Sequence, residues 1–161
     1  MGLVWARGQE RTRRRAGVKV EFVDPRKAGV DRLEAAVRVC AWHYEQGRRV
    51  VLATGDKRLV GEADQRLWTF DPGSFVAHGV WQGRGELDEP VVVSAQIANP
   101  NRAQVLVSLV LPEGKEEEFS WVVVVLPEKQ EELEPYRAYY KQMKSTEGVE
   151  VFYTQRLPSR M

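Results

Sequence analysis

The chain is poor in the residues that build covalent and metal chemistry. It has a single cysteine, Cys40, in 161 residues, which excludes an internal disulfide framework and a thiolate metal cluster. A reducing, intracellular setting fits that usage, and the cytoplasm is the expected location. Only two histidines are present, His43 and His78. Neither sits in an HExxH, HxxE or Cys-His spacing, so the three or four ligands of a zinc site are missing and no metal or other cofactor is expected. Charge of either sign is not in excess. Lys and Arg number 24 against 23 Asp and Glu, a net +1, so no strong global field steers a partner, and nucleic acid would be met through a local patch or through another protein. Apolar runs do not exceed the length of a strand, too short to span a membrane. The first residues lack the apolar stretch of a secretory signal.

What remains is the composition of a soluble globular domain, 43% hydrophobic and 29% charged, of a length that buries a real core. Residues 1–17 form a basic arm with Arg7, Arg11, Arg13, Arg14 and Arg15. Charge repulsion and the lack of a buriable face favour disorder there. The arm reads either as a solvated extension or as a phosphate-binding segment. The domain proper is expected over 18–157.

The period of the apolar residues sets the fold class. VKVEFV alternates from Val18 and stops at Asp24-Pro25, the pattern of a strand. Asp31 is placed to cap a helix with Glu34 as its capping-box partner. Leu33, Val37, Cys40, Ala41 and Tyr44 then recur at helical spacing until Gly47. RVVLAT, Arg49 to Thr54, is a short continuous apolar strand of the kind buried inside a parallel sheet. Gly55-Asp56 leads into a second helix with Leu59, Val60, Ala63 and Leu67 on one face. This βαβα start predicts two parallel strands joined by a right-handed crossover. Further strands are expected at Pro90–Ser94, Gln104–Leu111, Phe119–Leu126 and Val149–Thr154, with a helix over 129–143 that starts or kinks at Pro135. The sum is one α/β domain, a mostly parallel twisted sheet with helices on both faces, Rossmann-like but without a nucleotide site.

Most candidate chemistry fails on spacing. TGDKRLVG around Gly55 follows a strand and precedes a helix, yet it lacks the two glycines and the Lys-Ser/Thr ending that wrap phosphate, and Asp56 would repel it. Gly83-Arg84-Gly85 has no third glycine at the dinucleotide offset. Cys40 shares the apolar face of its helix and reads as a buried structural thiol. His43, late in the same helix, is placed where a cation favours the helix dipole. Ser74 lies in PGSFV, outside the G-x-S-x-G elbow.

Two segments do not reduce to these patterns. LWTFDPGSFVAHG, from Leu67 to Gly79, gathers Trp68, Phe70 and Phe75 around a Pro-Gly turn. These rings either cover the core or dock a partner. The late helix is acidic first, at Glu131, Glu132 and Glu134, then basic at Arg137, Lys141 and Lys144 among Tyr136, Tyr139 and Tyr140. Dipole compensation accounts for the charges. It leaves three tyrosines in five residues unexplained, and tyrosine with arginine is a composition of binding hot spots. An acidic partner ending in an aromatic residue or a carboxylate would suit it.

These segments resemble the chi subunit family of bacterial DNA polymerase III. The family pairs a βαβα start with Leu-Trp, five residues, then Ser-Phe-Val-x-His, matched here by Leu67, Trp68, Ser74, Phe75, Val76 and His78. Its late Tyr-basic-Ala-Tyr motif is matched by Tyr136, Arg137, Ala138 and Tyr139, and the resemblance runs from about Val18 to Thr154. It implies a non-catalytic accessory subunit of the clamp-loader complex in DNA replication, with nucleic acid met mostly indirectly. A psi-like subunit would bind the aromatic connection, with Trp68 and Phe75 as anchors. The acidic C-terminal tail of the single-stranded-DNA-binding protein would bind the late helix, at Tyr136, Arg137, Tyr140 and Lys141. One departure stands out. Some members carry a further basic residue one turn before the tyrosine, where this chain has Leu133 among acids, and Lys141 and Lys144 are the substitutes at hand. Two other classes stay open: a nucleotide-binding enzyme on a similar scaffold, and direct single-strand binding through the arm and the tyrosines.

Overall fold

The computed structural model describes residues 17–70 and 75–159. Among these residues seven strands form one sheet: β1 (Val18–Val23), β2 (Val50–Ala53), β3 (His78–Val80), β4 (Val91–Ser94), β5 (Val105–Ser108), β6 (Trp121–Val125) and β7 (Val149–Thr154). Their order is β3-β4-β2-β5-β6-β1-β7, and every neighbouring pair is parallel. An all-parallel sheet must be covered on both faces. That is why β2, β4 and β5 carry runs of valine, leucine and alanine buried throughout.

Helices α1 (Arg32–Glu45) and α2 (Lys57–Trp68) cover one face. Leu33, Val37, Cys40 and Leu67 pack there on Val23, Leu52, Val107 and Val123. Helix α3 (Glu134–Lys144) covers part of the other face, where Leu133, Tyr139 and Met143 pack with Val20, Phe22, Leu106 and Val124. The alternation of β1 is thus read correctly from sequence: Val20 and Phe22 look one way and Val23 the other.

Local signals place the helix starts. Asp31 accepts a bond from the Glu34 backbone N–H at 2.7 Å, and Asp56 accepts one from Arg58 at 2.9 Å. Each satisfies a donor that the first helical turn leaves free. Gly55 has φ +77°, and a Cβ there would overlap Val110, so only glycine fits between β2 and α2.

The structure refines the sequence reading in two places and departs from it in two. β1 and β2 are parallel as expected but not adjacent, because β6 and β5 lie between them. Segment His78–Val80 is an edge strand that the sequence reading did not identify; three residues are too few for a period to show. The strand expected over 104–111 ends at Ser108, whose hydroxyl accepts from the Val110 N–H. The late helix begins at Glu134, with Pro135 in its first turn and a separate 3-10 turn at Gln130–Glu132 before it. Pro135 starts the helix because its missing N–H has no helical acceptor there. The basic arm, apart from Gly17, and the Pro-Gly turn of 71–74 lie outside the described residues.

Candidate partner-binding sites

β6 and β1 are neighbours in the sheet, and their crossovers run over opposite faces. The chain leaves β1 through α1 towards β2, and leaves β6 through α3 to β7 on the other side. The carboxyl ends of β6, β1 and β7 lie side by side there. A cavity of about 380 Å³ lies here. Tyr136, Arg137, Tyr140 and Lys141 from α3 all line it, together with Phe22, Arg26, Leu126, Leu133 and Tyr153. The four residues singled out from the sequence are therefore brought to one place.

Its floor is apolar and its rim cationic. The ring of Tyr140 meets Phe22 edge-on, centroids 5.1 Å apart. Tyr136 is held by its hydroxyl, which accepts from Arg32 Nη2 at 3.1 Å and donates to the Leu109 carbonyl at 3.3 Å. Arg32 is itself anchored on the Val125 carbonyl by Nε and Nη2, at 2.9 and 2.6 Å. Arg137 and Lys141 are exposed, and Arg137 Nη1 stands 3.9 Å from the Glu134 carboxylate. Lys144 is not on the cavity; its ammonium sits 5.8 Å over the Tyr140 ring. Of the two substitutes offered for the missing basic residue, only Lys141 reaches the site.

Besides Leu126 and Leu133, three lining residues come from outside α3 and were not singled out. Arg26 follows β1, Phe22 lies in β1 and Tyr153 in β7. Asp24 ties two of them together. It is 1% exposed, accepts from Arg26 Nε at 2.9 Å and Nη2 at 2.7 Å, and accepts the Tyr153 hydroxyl at 2.5 Å. Hydrogen bonds from the Arg26 guanidinium hold the Asp24 carboxyl well below the usual carboxylate range, against the opposing effect of burial. The Asp24 carboxylate in turn pushes the Tyr153 phenol up.

Not every aromatic of the late helix belongs to the site. Tyr139 is 1% exposed and part of the core, with its hydroxyl on Glu116 Oε2 at 2.6 Å. Burial, reinforced by Glu116, drives that phenol far above its ordinary value.

The second candidate lies at the opposite edge, beside β3. Trp68 and Phe75 are 50% and 56% exposed, and their rings stand 5.3 Å apart. Neither is a core residue, whereas their neighbours Leu67, Phe70 and Val76 are. His78 braces the pair from beneath, 4.8 Å from the Trp68 ring. Its Nδ1 faces the Val76 carbonyl and its Nε2 faces Asp64, each at 2.8 Å.

Elsewhere the candidate chemistry resolves into structure. The hydroxyls of Thr54, Ser94 and Ser108, at the carboxyl ends of β2, β4 and β5, are turned onto backbone carbonyls two residues on, where a phosphate loop would present free donors. Cys40 is buried and its thiol is pushed up to about 12 by desolvation. His43 corrects an expectation. It is 1% exposed, and burial, with Arg48 beside it, pushes it down to about 4. At neutral pH it is uncharged and gives the helix dipole no cation. Among the described residues no group of three or more His, Cys, Asp and Glu is placed to hold a metal, and no helix is long and apolar enough to cross a membrane.

The model of the DNA polymerase III chi subunit family, HolC, matches residues 19–151, most of the chain. The chain belongs to that family. No curated protein matches it individually. The fold and the family agree on a chi-type accessory subunit of DNA polymerase III, working in DNA replication. Within it, the aromatic pair and the cavity lie towards opposite edges of the chi sheet.

Proposed function

We propose that this chi-family protein is a non-catalytic, cytoplasmic adaptor of the polymerase III clamp loader. One edge, at Trp68 and Phe75, docks a psi-like subunit. The other, the cavity of Tyr136, Arg137, Tyr140 and Lys141, takes the acidic C-terminal tail of single-stranded-DNA-binding protein. The observation that carries the reading is the cavity itself: an apolar floor with room for an aromatic side chain, rimmed by cations that suit carboxylates. The half-exposed Trp68–Phe75 pair supports the second contact, since two large rings packed together at the surface are an anchor composition. Linking two partners through separate sites converts weak contacts into avidity. Contact with DNA is then mostly indirect, in keeping with the net charge of +1.

Bridging is the test. Immobilised tail peptide should retain a psi-like subunit only when this protein is present. Arg137→Glu should release both proteins from the peptide, whereas Trp68→Ala should release the psi-like subunit alone. Loss of both contacts in both variants would contradict two separate sites.

A further inference from the structure

Arg137 and Lys141 are long, exposed side chains on one wall of the cavity. They attract an anion but define its position poorly, because each must be ordered when the ligand arrives. The opposite wall is different. Arg26 lies in the turn after β1, immediately beyond Pro25, and Asp24 takes both its Nε and its Nη2 in a two-point clamp. The Asp24 carboxylate is fixed in turn, since it is buried and also receives the Arg26 backbone N–H at 3.1 Å and the Tyr153 hydroxyl. This clamp uses the Nε–Nη2 edge of the guanidinium and leaves Nη1 outside the pair. A guanidinium held along one edge is a preorganised donor for a planar carboxylate. Its net charge is balanced by Asp24, so it adds direction more than field.

We infer that Arg26 is a specificity-determining residue of the cavity, reading the free α-carboxylate of a bound chain end from the sheet side, and that Asp24 is its positioning residue. The inference rests on the proposed reading of the cavity as a site for an acidic peptide ending in an aromatic residue. It also answers the missing basic residue before Tyr136: the fixed cation comes from the β1 turn, across the cavity.

The experiment uses the full chain and one labelled acidic peptide ending in Pro-Phe, prepared with a free carboxylate and as the carboxamide. The wild-type protein should bind the amide weaker by on the order of ten-fold. Arg26→Lys keeps the charge beside Asp24, and so the fold, but loses the fork; it should bind the two peptides alike. Asp24→Asn should narrow the gap as well, although it makes the rim more positive, and thermal melts report the fold of each variant. Raising salt should weaken both peptides, because exposed Arg137 and Lys141 supply the attraction that the two share. A full carboxylate preference in Arg26→Lys overturns the inference and leaves the adaptor reading standing. Failure of the wild type to bind either peptide overturns both.

Discussion

Arg32 and Tyr136, 104 positions apart, meet at 3.1 Å, guanidinium to phenol. The contact joins the first turn of α1 to the first turn of α3, and thus fixes one wall of the cavity against the far face of the sheet. Tyr136→Phe would leave the Arg32 donor and the Leu109 carbonyl without this partner, at a stability cost of about 1 kcal/mol. Peptide affinity should fall further than that cost implies, because the ring is released from its fixed position. Paired denaturation and binding curves check it; equal and small losses in both would make the bond purely structural.

Trp68→Ala should change stability by about 1 kcal/mol or less, as expected for a half-exposed side chain. Leu67→Ala, one residue earlier and buried, should cost about 2–5 kcal/mol. Thermal melts of the two variants separate surface from core directly. A fall for Trp68→Ala as large as that for Leu67→Ala would return the indole to a structural role.

His43 gives a pH dependence of known sign. Unfolded, it titrates near 6.5; folded, it is pushed down to about 4. Between those values the unfolded chain binds more protons, so stability rises with pH there and is lost as pH falls from about 6.5 towards 4. The difference amounts to about 3 kcal/mol at its fullest. His43→Gln should flatten the stability slope in that window relative to the wild type. An unchanged slope would show that other groups carry it.

The thiol of Cys40, buried and pushed up to about 12, should resist alkylation by iodoacetamide at pH 8 and react at once in denaturant. The thiolate is the reactive form, and burial denies both the proton loss and the access. Rapid labelling of the native protein would place Cys40 on an open path.

The β/α alternation was legible because it depends on local periods. Val18 to Phe22 alternate, Leu33 to Tyr44 repeat at helical spacing, and β2 and β6 are apolar throughout. Tyr136, Arg137, Tyr140 and Lys141 were legible for the same reason, since one helix carries them all. Their companions were not. Arg26, Phe22 and Tyr153 reach the cavity only because β1 lies between β6 and β7, an order that no local pattern encodes. Asp24-Pro25 read merely as the end of a strand. The acid two residues before an arginine was the available signal, and only burial turns it into a clamp. Burial likewise separated Tyr139 from its neighbours and left His43 neutral. Three-dimensional context sets both, whereas the sequence spacing of Tyr139 equals that of a surface tyrosine.

The central claim is that the cavity binds an acidic chain end. Fluorescence anisotropy of a labelled acidic peptide ending in Pro-Phe-carboxylate, titrated with the full chain at low and moderate salt, tests it most directly. The account predicts saturable binding that weakens with salt and is abolished in Arg137→Glu, whose melting temperature stays close to that of the wild type. Absence of binding at either salt, or full affinity in Arg137→Glu, would contradict it.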